Sequence, residues 1–180
     1  MAKRKAQRDV HGRTVVPAPT GWREVVVCVH VAPDGGETMR AVGKMRVVEG
    51  WGLEGDRYFG GTGFYSDHPG PIREVSLFEE ETIEALECDP SLEVEPGETR
   101  RNILTRGVPR DHLVGRAFHI SGAVLKGVEF CEPCKHLVGV TGKRSMLPIL
   151  IHRRGLHAQV LQSGIVNPGD EIEEVREEVR

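Results

Sequence analysis

Glycine and proline interrupt this chain so often that they decide what it can fold into: 22 of its 180 positions are glycine and 11 are proline. Few segments run far without a turn signal. That pattern disfavours long helices and predicts short strands joined by many turns. The intervening segments agree. Residues 24–31 (EVVVCVHV) are rich in β-branched side chains and read as a strand, with Cys28 inside it as a small core residue. Residues 41–48 read as a second strand, and 101–104 as the start of another. Residues 117–120 and 123–130 read as a hairpin joined at Ser121-Gly122. Residues 156–161 and 171–175 read as strands linked by the turn Asn167-Pro168-Gly169-Asp170. Helix signals are few. A short strand over 74–77 leads into a helix, with Ser76 and Glu79 as its capping box and Phe78, Ile83 and Leu86 on its apolar face. Residues 146–151 fit either a short helix or a buried strand. The expectation is a β-rich single domain over 21–176, with a basic arm before it (1–20) and a short tail after it (177–180).

Composition narrows the function classes. A net charge of -3 gives no general attraction to nucleic acid or anionic membrane, and aromatic residues at 5% are too sparse for a single-strand stacking platform. No apolar run approaches the roughly 18 residues that span a bilayer. The basic start, MAKRKAQRDVHGR, is not followed by an apolar stretch and does not read as a secretory signal. Four cysteines with one close pair make no disulfide framework, so a reducing cytoplasm is the expected compartment.

That close pair, Cys131 and Cys134 in the run FCEPCKH, is the strongest chemical signal. Two thiols separated by two residues serve soft-metal ligation, redox exchange, or one reactive thiolate beside a supporting partner. A zinc reading pairs them with His152 and His157, which have ligand-like spacing. The 17 residues between the two pairs exceed the usual finger spacing of about 12. A thioredoxin-like reading is weaker, because the pair follows a hairpin rather than opening a helix. Two other segments carry candidates. Gly52-Leu53-Glu54-Gly55-Asp56-Arg57-Tyr58 sets an acid and a base in a tight turn, either an anion-binding fork or a local ion pair. Pro96-Gly97-Glu98-Thr99-Arg100-Arg101-Asn102 brings arginines and an amide to a strand entrance, suited to a phosphate or a polar heterocycle.

Taken in order, these segments resemble the MOSC domain, named for the C-terminal domain of molybdenum cofactor sulfurases. The resemblance rests on GLEGDR, then Arg73-Glu74-Val75-Ser76-Leu77, GETRRN, CEPC, and finally Gly164-Ile165-Val166 with Gly169-Asp170. It covers about residues 20 to 175 and is closest to free-standing bacterial members. It implies a MOSC-type β-barrel and a molybdenum cofactor, with Cys134 as the metal-binding and catalytic thiolate. It implies that Asp56, Arg57, Arg73, Arg101 and Asn102 cradle the pterin and its phosphate, with Cys131 standing behind the ligand. Two departures stand out. Tyr58 occupies a position where many members have His, and the glycine-rich segment 59–71 is longer than a plain turn.

The function so implied is the reduction of N-hydroxylated bases or related N-oxygenated small molecules. No dinucleotide fingerprint or four-cysteine cluster spacing is present, so electrons are expected from a separate flavin or iron–sulfur protein. Two alternatives remain open at this level: a carrier of persulfide or molybdenum cofactor on Cys134, and a zinc-stabilised interaction domain.

Overall fold

The computed structural model describes residues 7–8, 14–15, 24–86 and 93–175. Its first elements, β1 (Gln7–Arg8) and β2 (Thr14–Val15), pair only with each other and are the one described part of the basic arm. The remaining strands are β3 (Val25–Val31), β4 (Arg40–Val42), β5 (Met45–Val48), β6 (Gly52–Leu53), β7 (Val75–Glu79), β8 (Ile103–Arg106), β9 (Ala117–Ile120), β10 (Ala123–Cys131), β11 (Gly155–Gln162), β12 (Gly164–Val166) and β13 (Ile172–Glu174). Among the described residues four short α-helices accompany them: α1 (Glu80–Leu86), α2 (Arg110–Leu113), α3 (Lys135–Thr141) and α4 (Met146–Leu150). The chain is mostly β, as its turn density requires.

Eight strands form the main sheet in the order β13-β9-β10-β11-β7-β8-β3-β4, and β12-β5-β6 form a smaller one. Among the described strands every pairing is antiparallel except β7 with β8, whose connection runs through α1. The expected barrel does not close as a continuous ladder. β4 covers only the far half of β3, from Val29 to Val31. The near half is met by the residues before β13, through one bridge between Val25 and Glu171. Three backbone bonds accompany it: Val26 N–H to Asp170 O at 2.9 Å, Gly169 N–H to Val26 O at 2.8 Å and Ile172 N–H to Glu24 O at 2.8 Å. β13 is three residues long and spends them on β9, so the ends of the sheet touch without zipping.

Alternation along the strands divides the core. Val75 and Leu77 of β7 and Ile103 of β8 point into the larger cluster with Val29, Val47, Phe118, Leu125 and Leu156. Phe78 and Leu104 point the other way, into a second cluster with Ile83 and Leu86 of α1, Leu137 of α3, and Met146 and Leu150 of α4. Several expectations shift by a few residues. The strand expected over 41–48 breaks at Gly43-Lys44 into β4 and β5, which join different sheets. The strand entered from Arg101 begins at Ile103, because Arg100 takes a left-handed φ of 61°. Residues 146–151 resolve as the helix α4. Ser76 does not cap α1; it lies within β7 and its hydroxyl is used elsewhere.

Candidate functional site

Strand register brings the site together. His157 of β11 pairs with Ser76 of β7 on one side and Glu129 of β10 on the other, and Gly155 pairs with Cys131. Asn102 lies on the far side of Ser76: its N–H donates to Ser76 O at 2.9 Å. One row across four neighbouring strand positions thus carries Asn102, Ser76 and His157, with Cys131 ending β10 beside it. This row floors a cleft of about 210 Å³. Its walls include Arg57, Tyr58, Tyr65, Arg73, Arg100, Arg101, Cys134 and His136. Six of the seven residues implied by the resemblance line it, and Asp56 is the seventh, buried behind Arg57.

The two thiols differ in kind. Cys131 is buried, and that burial, partly offset by Arg101, pushes its thiol above the ordinary range. Cys134 is exposed and stands at the start of α3. Tyr65, delivered by the long glycine-rich segment, sets its phenol oxygen 3.9 Å from Cys134 Sγ. Burial first, and then this contact, raise the Tyr65 pKa, so the phenol keeps its proton. Phe64 stacks on His136 with ring centroids 4.3 Å apart, clasping the segment to α3. The Arg73 guanidinium lies over the Tyr65 ring at 4.7 Å.

Beneath the cleft is a buried polar brace. Asn102 Oδ1 accepts from Ser76 N at 3.2 Å and Ser76 Oγ at 2.8 Å. Its Nδ2 donates to His30 O at 3.3 Å and Asp56 Oδ2 at 3.1 Å. Those four bonds use the whole capacity of the amide, so the side chain holds the floor and has nothing left to offer a ligand. Asp56 Oδ2 also accepts from Arg57 NH1 at 3.0 Å and Ala32 N at 3.3 Å. Arg100 is likewise committed. Its guanidinium donates to the carbonyls of Gly35, at 2.8 Å, and Glu37, pinning the β3–β4 loop. Burial, with Arg57 nearby, lowers its pKa to about 10.

Arg73 and Arg101 are different. Arg101 is tethered through NH1 to Thr99 O and NH2 to Cys131 O, each at 3.2 Å, but its Nε is buried and unbonded. Arg73 Nε is also buried without a partner, and no carboxylate pairs with Arg73 among the described residues. A Cβ on Gly155 would lie 2.8 Å from Arg101 Nε, so the glycine leaves that guanidinium its place. His157 completes the group. Burial, reinforced by Arg101 and Arg73, lowers its pKa to about 3, and its Nδ1 has no partner. Three buried polar atoms without a hydrogen-bond partner thus surround one cleft, a set suited to a ligand with anionic and hydrogen-bonding parts. The carboxylate on the wall, Glu132, is exposed and paired with Arg154 at 3.4 Å. The donor set fits a phosphate-bearing heterocycle with a soft metal on Cys134.

The residues not foreseen from sequence are His157 as a cleft residue, Tyr65 and His136. The first had been paired with His152 as a zinc ligand. His152 is exposed and outside the cleft. Among the described residues no group of three or more His, Cys, Asp or Glu is placed to hold a metal ion. No helix is long and apolar enough to cross a membrane among these residues.

The MOSC domain family model matches residues 65–173. No curated protein matches the chain. Among solved structures, the YUAD protein from Bacillus subtilis superposes with a TM-score of 0.67 at 19% identity, over 87% of this chain and 100% of that one. YiiM from Geobacillus stearothermophilus gives 0.65 at 16% identity, over 87% and 77%. YiiM from Escherichia coli gives 0.60 at 20%, over 88% and 71%. These likenesses establish the fold.

Proposed function

The chain belongs to the MOSC domain family, which is associated with molybdenum cofactor binding, and from that premise we propose that it is a molybdenum cofactor-dependent reductase of N-hydroxylated bases or related N-oxygenated compounds. The observation that carries this reading is the convergence of exposed Cys134 with three unsatisfied buried atoms, Arg73 Nε, Arg101 Nε and His157 Nδ1. Cys134 would hold the metal as a soft thiolate ligand. Arg73 and Arg101 would meet the cofactor's phosphate, and His157, neutral across the working range, would meet a ring N–H or ring nitrogen. When bound, the cofactor supplies two-electron oxygen-removal chemistry.

The chain's own groups supply the rest. Asp56, Arg57 and Asn102 keep the floor rigid, so the ligating groups need no rearrangement. Tyr65 Oη, protonated and beside Cys134, is placed to donate a proton as the substrate's oxygen departs. The balance is an N-hydroxyl compound, two electrons and two protons giving the amine and water. A separate flavin or iron–sulfur protein delivers the electrons.

The test is elemental analysis of protein made in a host that synthesises the cofactor, with Cys134→Ala beside it. Near-stoichiometric molybdenum, lost in a variant that keeps its circular dichroism, is the expected result. Molybdenum retained by the variant, or undiminished reduction of an N-hydroxylated base, overturns the proposal. The exposure of Cys134 favours a second reading, a persulfide carrier. Its mark is a single added sulfur on Cys134 by intact mass, with no molybdenum.

A further inference from the structure

The later part of the chain carries a charge asymmetry that the cleft does not use. From Pro133 to Gly169 there is no Asp or Glu, while Lys135, Lys143, Arg144, Arg153 and Arg154 all fall in that span, in a chain whose net charge is -3. The fold keeps these cations together. Lys135 opens α3, Lys143 and Arg144 join α3 to α4, and Arg153 and Arg154 follow α4. The two helices pack on each other and cover the second core cluster through Leu137, Met146 and Leu150. Their outer side faces solvent, where Lys135, Gly139, Arg144 and Pro148 are exposed. Lys143 is paired with Glu98 at 2.7 Å and Arg154 with Glu132 at 3.4 Å. Among the described residues no carboxylate pairs with Lys135 or Arg144.

This layer borders the mouth of the cleft. Exposed Cys134 immediately precedes α3, so Lys135 is its chain neighbour. Phe64, 63% exposed, stacks on His136 in the same helical turn, and Ile151, 49% exposed, follows α4. Exposed apolar side chains among unpaired cations have the make-up of a protein interface, whereas a track for a polyanion needs only the cations. Gly139 adds an independent sign. It lies inside α3, where glycine weakens a helix, and its φ is not positive. A Cβ there would meet nothing within 4 Å. Nothing within the protein requires glycine at this place, but its bare backbone keeps the outer face of α3 low enough for another surface to approach closely.

We infer that the outer face of α3 and α4 is the docking surface for a small acidic electron-carrier protein, with Lys135 and Arg144 as its charged contacts and Gly139 beneath the partner. The inference rests on the reductase reading for what the partner delivers; the surface itself stands on charge, exposure and Gly139. Converting an N-hydroxyl compound to the amine and water takes two electrons and two protons. A one-electron carrier docks twice per turnover and leaves oxidised each time. Docking on α3 brings it to the exposed side of Cys134. Redox encounters of this kind use small interfaces and are steered by charge. All 27 acidic residues of the chain lie outside Pro133–Gly169, so the field elsewhere does not favour such a partner.

Flavodoxin and a plant-type ferredoxin, both small acidic carriers, are titrated separately against the full chain by calorimetry, at about 10 mM and about 150 mM salt. Binding of at least one carrier at low salt is expected. It should weaken about tenfold or more with salt, and again in Lys135→Glu/Arg144→Glu, whose two positions are exposed and unpaired. Gly139→Trp, read beside Gly139→Ala, should abolish binding by bulk while both variants keep the parent's circular dichroism. Should the tryptophan unfold α3, the double variant decides alone. An oligothymidine runs alongside. No carrier binding at low salt, unchanged affinity in the double variant, or oligothymidine binding in place of either carrier overturns the surface. Turnover of an N-hydroxylated base driven by reduced methyl viologen, a small cation that needs no docking surface, tests the reductase reading separately. Carrier binding without viologen-driven turnover rejects the reductase and keeps the surface. Viologen-driven turnover without carrier binding does the reverse.

Discussion

Asn102 shows how a motif residue can matter through the brace it builds beneath the cleft. With all four of its bonding positions spent on Ser76, His30 and Asp56, Asn102→Ala leaves several buried polar groups unpaired. It should lower unfolding free energy in urea by about 2–4 kcal/mol; a loss under about 0.5 kcal/mol would mean that the brace is dispensable. His157 makes a prediction of opposite character. Its folded pKa is depressed to about 3 from the ordinary 6.5. Between those values the unfolded chain therefore binds the extra proton. Stability from this group is complete above about pH 6.5 and falls with pH, by at most about 1.4 kcal/mol per unit. A His157→Gln variant should show a flatter dependence of the urea midpoint between pH 6.5 and 4, and an unchanged slope would refute the burial argument. Sequence marked Cys134, Arg73 and Arg101 because their motifs carry reactive or charged side chains. It missed the place of His157 because a lone histidine in a strand announces neither its register nor its neighbours.

At the scale of elements, the hairpin β9–β10 was legible from its turn, and the structure adds a strain that sequence does not display. Ser121 sits at φ 53°, a conformation that side chains other than Gly and Asn resist. Ser121→Gly should relieve it and raise stability by about 0.5–1 kcal/mol, seen as a higher midpoint in thermal melts. A lower midpoint would show that the hydroxyl compensates. The long segment after Arg57 was the least legible element. Its glycines mark turns but not destinations, and the Phe64–His136 stack and the Tyr65–Cys134 contact reveal that it reaches the thiol. Those contacts are between residues about seventy positions apart, which no local pattern encodes. The capping box read at Ser76 failed for a related reason: Asn102, distant in sequence, claims that hydroxyl and keeps the segment extended.

Across the whole molecule, the sheet's ends meet through a narrow join rather than a full ladder, so this is where it should open first. Asp170 Oδ2 holds the turn before that join, accepting from Asn167 N at 2.8 Å and Nδ2 at 3.2 Å. Asp170→Ala should cost about 1–2 kcal/mol and speed amide exchange at Val26 and Ile172, while the β10–β11 amides stay protected. Equal acceleration in both places would mean that the join is no weaker than the ladder. The β-rich class followed from turn density; the incomplete closure did not, because strand lengths and edge partners are settled only when the whole sheet is assembled. The row of Asn102, Ser76, His157 and Cys131 has a kinetic consequence. Its members are drawn from strands far apart in the chain, and one of its pairings is the parallel one, which needs a long crossover. Contacts of such separation form late. A growing chain has no cleft until His157 has been added and β11 has docked between β10 and β7. Occupation of the cleft by the proposed cofactor would therefore be an event in the life of the finished protein, and the folding chain must reach that point without a ligand's help.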